Sequence, residues 1–380
     1  MKRILVFIDW YIPGYRAGGP IRSLSNMVEN LGSEYEFYIF TRNTDYLDAT
    51  PYPSIKPDQW IKTGPYENVY YCSNENLSVF TIFKTIKSVK FDLAYINGVY
   101  SFYFSMVPLL VVKFFTSVKY IIAPRGMLSK QTFKAKNLKK RTGIFIARIT
   151  RLYKNAIFHV TSADEYNDLI LLNLKPLKIF QANNFPSIIN EKRIQKIDKK
   201  KGELKLLYIG RISNEKNTLF ALECLGNFIY NGQIDFEVYG SVYQQDYWEK
   251  CKEIIDKLPV NIKVSYHGSL EYSKVAETIG RSHFLFMPSL GENFGHSLLE
   301  SLANGRPVIT SNTTPWKNLA ENKAGWDIPL NKPELFAEAI QTAINMDNIQ
   351  FRDYSKSAFD YAISKLDIEN LKQDYQSLFG

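Results

Sequence analysis

The densest chemistry in the chain lies in Pro288-Ser289-Leu290-Gly291-Glu292-Asn293-Phe294-Gly295-His296-Ser297-Leu298-Leu299-Glu300, which continues through Ser301-Leu302-Ala303-Asn304-Gly305-Arg306-Pro307-Val308-Ile309. It reads as a strand end, a polar loop, a helix from near Gly295 to Gly305, and another strand. The first turn of such a helix has N–H groups without intrahelical acceptors, and the helix dipole adds partial positive charge, so a phosphate is a natural ligand there. Glu292 stands before that turn and Glu300 about two turns in, so both can reach one extended ligand. Either glutamate alone reads as ordinary, Glu292 as a cap and Glu300 as a solvated helix residue. Two carboxylates at a helix start among small and apolar neighbours point instead to a polar ligand.

Three further segments carry candidate site residues. Leu206-Leu207-Tyr208-Ile209-Gly210-Arg211-Ile212-Ser213-Asn214-Glu215-Lys216-Asn217 reads as a strand, a tight turn at Gly210 and a helix start, with Arg211 and Lys216 at its mouth. Two cations there suit a diphosphate leaving group, whose developing charge they would stabilise. After the first strand, Asp9 to Ser23 contains Arg16 and Gly18-Gly19, where backbone can approach a ligand closely. Ala123-Pro124-Arg125-Gly126-Met127 closes another strand and offers Arg125, either to an acidic ligand group or to a protein carboxylate.

The Glu292…Glu300 spacing, the intervening Phe294-Gly295 and the following Ala303-Asn304-Gly305-Arg306-Pro307-Val308-Ile309 resemble the E-x7-E signature of glycosyltransferase family four, retaining enzymes of GT-B fold, here of the bacterial surface-polysaccharide type. The resemblance implies that Glu300 holds the ribose hydroxyls of a nucleotide diphosphate sugar, UDP being the expected nucleotide. Glu292 would face the transferred sugar. The amides of Asn293, Phe294, Gly295, His296, Ser297 and Leu298 would hold sugar hydroxyls and diphosphate, with Gly210, Arg211 and Lys216 at the leaving group. His267-Gly268-Ser269-Leu270 sits where the family's base-recognition loop is expected, and Gly18-Gly19 resembles its N-terminal glycine loop. Arg125 departs from the family, which often carries a histidine near this point, and is placed with Arg16 on the acceptor side. Arg211, Lys216 and Glu292 are the expected catalytic residues. For a retaining member the diphosphate leaves on the face where the acceptor attacks, and a phosphate oxygen takes the acceptor proton.

Missing motifs narrow the chemistry. No two aspartates have the D-x-D spacing with which other sugar transferases hold a divalent ion, so neither metal nor cofactor is expected. There is no G-x-S-x-G elbow and no Walker A loop. Three scattered cysteines, Cys72, Cys224 and Cys251, read as reduced packing thiols, in keeping with a cytoplasmic protein.

The elements that must position these residues alternate. Apolar runs at Arg3–Asp9, Phe37–Thr41, Asp92–Asn97, Lys119–Ala123 and Ile157–Thr161, and again at Lys205–Ile209, Asp235–Tyr239, His283–Pro288, Pro307–Thr310 and Gly325–Ile328, are separated in many cases by helix-length segments. Continuous apolar strands mean sheets covered on both faces. At 380 residues, two α/β domains of doubly wound, Rossmann-like parallel sheet facing across a cleft are expected, with ligands at the carboxyl ends of the strands. The expected division is 1–189, an exposed basic linker 190–203, 204–360, and a final segment 361–380 returning to the first domain. Tyr100 to Ala123 is interrupted by Lys113, Lys119 and Pro108, so a buried helix and a strand are expected there.

Charge is uneven. Residues 1–201 carry 30 Lys/Arg against 15 Asp/Glu and the remainder 17 against 23. Between Ser129 and Asn155 there are nine Lys/Arg and no acid, interleaved with apolar residues, which suits peripheral contact with an anionic membrane and hence a lipid-linked or saccharide acceptor. Rival readings are a GT-B nucleotide-sugar epimerase, a phosphorylase, and a basic nucleic-acid-binding protein. The phosphorylase needs a longer chain. The nucleic-acid reading finds no matching motif.

Overall fold

The computed structural model describes residues 1–128, 138–188 and 195–380. Its chain contacts divide it into two units, Met1–Phe185 with Ile368–Gly380, and Pro186–Asp367.

In the first unit the strands are β1 (Lys2–Phe7), β2 (Tyr35–Arg42), β3 (Trp60–Gly64), β4 (Glu67–Cys72), β5 (Leu93–Asn97), β6 (Lys119–Ala123), β7 (Ile157–Val160) and β8 (Lys178–Gln181). Their order is β3-β4-β2-β1-β5-β6-β7-β8, so strand order reverses between β1 and β5. Ile4 to Phe7 of β1 are fully buried, as a central strand covered on both faces requires. One face is covered by α2 (Val79–Ser88), α3 (Val107–Phe115), α4 (Leu138–Ile149) and α5 (Ala163–Leu171). The other carries α1 (Gly19–Leu31) and the C-terminal helix α12 (Ile368–Phe379). Leu371, Tyr375, Leu378 and Phe379 recur at helical spacing on α12. Tyr375 packs on Phe185 with ring centroids 4.7 Å apart, and Phe379 on Tyr35 at 5.1 Å.

In the second unit, β9 (Glu203–Ile209), β10 (Gln233–Tyr239), β11 (Ile262–Tyr266), β12 (Phe284–Met287), β13 (Val308–Ser311) and β14 (Gly325–Ile328) form an all-parallel sheet of order β11-β10-β9-β12-β13-β14. The reversal here falls between β9 and β12. Helices α6 (Thr218–Gly226), α7 (Gln245–Ile255), α8 (Tyr272–Gly280), α9 (His296–Ala303), α10 (Pro333–Asn345) and α11 (Asn348–Ser364) flank it.

Several expectations need correcting. β3 pairs antiparallel with β4, so the first sheet is not wholly parallel. The sequence reading also lacks β3, β4, β8 and β11, because edge strands such as Ile262-Lys263-Val264-Ser265-Tyr266 alternate apolar and polar residues and never form a continuous apolar run. Lys199, assigned to an exposed linker, is buried. Its Nζ donates to the carbonyls of Lys200 (2.9 Å), Ile344 (3.2 Å) and Met346 (3.1 Å), the last two at the end of α10, where carbonyls lack intrahelical donors. Elsewhere in that segment Gln195, Lys196, Asp198, Lys200 and Lys201 are exposed as expected, and 190–194 lies outside the described residues. α3 is buried on one face only, through Val107, Leu109, Val111 and Val112, while Leu110, Phe114 and Phe115 face outward. All three cysteines are free and buried, and burial pushes their thiols up to about 12.

Each unit encloses a neutral histidine. His159 Nδ1 lies 2.6 Å from the Tyr95 hydroxyl and Nε2 2.9 Å from the Ala182 carbonyl, so Nε2 carries the proton. His283 Nδ1 accepts from the Lys205 amide at 3.0 Å, and Nε2 faces the Asp198 carbonyl at 3.3 Å. Burial pushes both imidazoles down to about 3. Between that value and an unfolded pKa of about 6.5, the unfolded chain binds the extra proton. Each histidine therefore contributes stability that is present above pH ~6.5 and is lost as pH falls toward 3. Urea unfolding at several pH values should show His159→Gln and His283→Gln each removing up to about 1.4 kcal/mol per pH unit of the acid slope between roughly pH 6 and 4. Slopes identical to wild type would mean that these imidazoles titrate normally.

Candidate active site

The reversal of strand order in the second unit puts the loops after β9 and β12 side by side at the carboxyl edge, the usual ligand position in a doubly wound sheet. Three contacts stitch them together. The Leu290 amide donates to the Glu215 carbonyl at 2.9 Å, Asn217 Nδ2 donates to the Pro288 carbonyl at 3.1 Å, and Lys216 Nζ lies 2.6 Å from both carboxylate oxygens of Glu292. Ser289 Oγ adds a 2.8 Å bond to Glu292 Oε1. Lys216 and Glu292 are mostly buried, so their attraction is weakly screened. Two residues separated by 76 positions thus form one charge-neutral unit.

Glu292 does not cap the helix. Gly295 takes the N-cap position of α9 at φ 75° and, having no side chain, makes no cap bond to the first-turn amides. A side chain at Gly295 would be strained by that φ and would crowd Leu298 and the Trp316 indole, each 3.1 Å from an added Cβ. The indole N–H donates to the Phe294 carbonyl at 2.8 Å, and the Phe294 ring lies 4.7 Å from that of His296. Asn293, Phe294 and Gly295 thus lead into the helix, and His296, Ser297 and Leu298 form its first turn. Glu300 is the fifth helical residue, little more than one turn in rather than two, and it is buried.

Arg211 lies over the Tyr243 ring at 5.5 Å, and its Nη2 is 3.5 Å from Glu215 Oε2, at the end of β9. Beneath this loop the buried Tyr208 hydroxyl accepts from Thr218 Oγ1 at 2.8 Å and donates to the Arg211 carbonyl at 3.2 Å. The Gly210 amide donates to the Tyr239 carbonyl, and the Gly240 amide to the Gly268 carbonyl at 2.7 Å, which links the loops after β9, β10 and β11. A Cβ at Gly240 would fall 1.8 Å from the Gly210 carbonyl oxygen. His267 stacks on Tyr239, with ring centroids 4.6 Å apart, and Gly268 has φ 71°. Ser269 and Leu270 complete that loop before α8. Tyr208 and Gly240 are absent from the sequence-based site. Gly240 ends a strand as Gly210 does, and that position was the available signal.

In the first unit, the loop after β1 is held by Asp45, whose carboxylate accepts from the amides of Tyr15 (3.0 Å), Arg16 (3.2 Å) and Tyr46 (2.7 Å). Arg16 Nη1 pairs with Asp48 at 2.9 Å. Gly18 is required by its φ of 74° at the N-cap of α1, not by crowding, since an added Cβ meets nothing within 4 Å. Gly19 begins α1. Asp9, at the reversal between β1 and β5, accepts from Ser101 Oγ at 2.7 Å, and burial raises its carboxyl above the usual range. Sequence reasoning gave Asp9 no role, because its bond to Ser101 spans 92 positions.

Arg125 corrects an expectation. Its guanidinium serves the fold: Nε donates to Asn97 Oδ1 at 2.9 Å, Nη2 to the Tyr95 hydroxyl at 3.0 Å, and Nη1 to Asn184 Oδ1. Its direct partners are amide and phenol oxygens instead of a carboxylate. With the Tyr95 to His159 bond these form one chain of donors running to the Ala182 carbonyl.

Residues 189–359 match the family model for glycosyl transferases group 1. The chain is 24% identical over 180 residues to the O-antigen chain mannosyltransferase RfbU of Salmonella typhimurium, covering 47% of each chain. It is 28% identical over 251 residues to the capsular polysaccharide biosynthesis glycosyltransferase CapH of Staphylococcus aureus, covering 63% of this chain and 65% of that one. The matches thus span about half to two thirds of these relatives. Among solved structures, sucrose-phosphate synthase (tll1590) from Thermosynechococcus elongatus superposes with TM-score 0.69 at 18% identity, covering 100% of this chain and 99% of that one. Anabaena Alr3699/HepE in complex with UDP and glucose gives TM-score 0.68 at 14% identity, with the same coverage. Residues 189–359 are therefore similar to the glycosyl transferases group 1, and the fold of the chain is that of the GT-B glycosyltransferases.

Proposed function

We propose that this chain is a metal-independent, retaining glycosyltransferase of cell-surface polysaccharide synthesis at the cytoplasmic side. It moves a hexose or N-acetylhexosamine from a nucleotide diphosphate sugar, with UDP as the nucleotide, to a lipid-linked or saccharide acceptor. The observation that carries this reading is the Lys216–Glu292 pair beside the uncapped start of α9. A cation, a carboxylate and the first-turn amides of a helix at one strand-order reversal match a ligand with both phosphate and hydroxyl groups. The UDP and glucose named for the Anabaena structure, and the O-antigen and capsule roles named for the two relatives, agree with it.

In this reading the diphosphate sits at the first turn of α9, with Arg211 and Lys216 neutralising it in place of a metal. As the bond from the anomeric carbon to the diphosphate breaks, charge grows on the leaving oxygen. Lys216 is held near it by Glu292 before the reaction begins, so stabilisation needs no reorganisation. The acceptor oxygen bonds the same face of the anomeric carbon and gives its proton to the departing phosphate. Glu300 holds the ribose, and residues 267–270 meet the base through backbone groups.

Two outcomes test this. Glu300→Gln should weaken calorimetric binding of UDP by about ten-fold or more, the usual cost of a lost hydrogen bond to a charged group. Unchanged affinity in a folded variant would remove Glu300 from the ribose role. In turnover assays, activity should survive EDTA, while Arg211→Ala and Lys216→Ala each lower it by ~10²–10³. Loss in EDTA that magnesium or manganese restores would contradict the metal-free mechanism, and sugar epimerisation without an acceptor would favour the epimerase.

A further inference from the structure

The two helix layers of the first unit differ sharply in what they expose. α1 and α12, on one face of the sheet, expose no large apolar side chain. The opposite layer, α2 to α5 with the turns that flank them, exposes many. Phe80 is 74% exposed, Phe114 67%, Ile149 66% and Leu177 68%, with Phe102 and Phe145 also outward. Isolated exposed apolar residues need no explanation, but a whole layer of them marks a contact surface.

These residues are continuous in space. Phe83 of α2 packs edge-on against Phe115 of α3 at 5.3 Å, and Lys87 Nζ caps the Phe115 carbonyl at 3.0 Å. Lys113 Nζ of α3 donates to the Leu152 carbonyl just past α4 at 2.8 Å. A shallow groove lined by Arg148, Ile149, Arg151, Lys154, Lys175 and Leu177 then joins the end of α4 to the turn after α5. Phe80 and Phe102 lie where helices leave the carboxyl edge of the sheet, and Phe114 and Ile149 where helices return to the amino edge. The apolar face therefore runs the length of the layer.

Its charge selects the occupant. The chain has no Asp or Glu between Asp92 and Asp164, and α2 carries none either. The exposed cations Lys84, Lys87, Arg148, Arg151, Lys154 and Lys175 therefore border this face with few acids to balance them. A second copy docked by two-fold symmetry would set cations against cations, which is repulsive. Aromatic and aliphatic side chains ringed by lysine and arginine match an anionic bilayer surface, where the rings enter the interface and the cations meet headgroup phosphates. Among the described residues no helix is long and apolar enough to cross a membrane, so the contact is superficial.

We infer that the α2–α5 face of the first unit is a docking surface for an anionic phospholipid leaflet. The inference deepens the proposed function and rests on it for its purpose, the delivery of a lipid-linked acceptor, while its test does not require transfer. It also moves the membrane contact expected between Ser129 and Asn155, much of which lies outside the described residues, onto a wider face.

Sedimentation with vesicles of phosphatidylglycerol and phosphatidylcholine tests it, with pure phosphatidylcholine as the control. The protein should co-sediment only with the anionic vesicles and less so as salt rises. Phe80→Ser with Phe114→Ser and Ile149→Ser, and separately Lys84→Glu with Arg148→Glu and Lys154→Glu, should each lower the partition coefficient by about ten-fold or more. All six are exposed, and unchanged thermal melts would confirm folding. Transfer to a water-soluble acceptor should be unaffected in both variants. Wild-type protein that stays in the supernatant overturns the inference. So does binding that neither variant weakens, or a dimer in sedimentation equilibrium that the serine variant dissolves. If vesicle binding behaves as expected but no sugar is transferred, the docking surface stands and the proposed function falls.

Discussion

In the second unit β9 and β12 are neighbours in the sheet although β10 and β11 lie between them in the chain, and this arrangement brings Lys216 to Glu292. A parallel strand must be followed by a crossover, and when successive crossovers leave in opposite directions two carboxyl-end loops are left facing each other. The Lys216 ammonium, 2.6 Å from both oxygens of Glu292, then neutralises a carboxylate that the packed loop has taken largely out of water. Removing one partner would leave the other buried without compensation. The position of the start of α9, the Leu290 to Glu215 bond and the Asn217 to Pro288 bond all belong to the same junction. The candidate site is in this sense a property of sheet topology, held in place by one ion pair.

Much of this was legible in the sequence for a physical reason. Central strands such as Ile4–Phe7 and Phe284–Met287 are buried on both faces, so they read as unbroken apolar runs, and the polar loops after them stand out. Arg211, Lys216 and Glu292 all lie in the loops that follow such strand ends, and Glu300 on the helix after the second of them. What could not be read is what depends on distant pairing. Asp9 meets Ser101, Arg125 meets Asn184, and Lys199 meets the end of α10, each through bonds that local pattern does not announce. Arg125 is instructive here, because an arginine after a strand looks like a ligand residue until Asn97, Tyr95 and Asn184 are seen to use its donors. Edge strands β3, β8 and β11 were hidden for the opposite reason, since with one side open to solvent they need no continuous apolar run.

The two units use the same architecture under different electrostatic conditions. The first, with 25 Lys/Arg against 15 Asp/Glu, holds the chain's net positive charge and one helix layer with an apolar exterior, and the second, with 22 against 23, is nearly neutral and keeps its cations Arg211 and Lys216 at the carboxyl edge of its sheet. Among the exposed large apolar residues of the second unit, Ile229, Val260 and Ile349 are scattered over separate elements, the ordinary pattern for a protein surface. The clustering in the first unit is thus specific to one layer.

The account depends most on Lys216 and Glu292 acting as one element of the nucleotide site. A double-mutant cycle measures this directly: UDP affinity by calorimetry for wild type, Lys216→Met, Glu292→Gln and the double variant. If the pair acts as a unit, the double variant loses about as much affinity as the worse single variant, with a coupling energy of about 1–3 kcal/mol. Single losses that add to within about 0.5 kcal/mol would mean that the two residues act independently, contradicting the central claim.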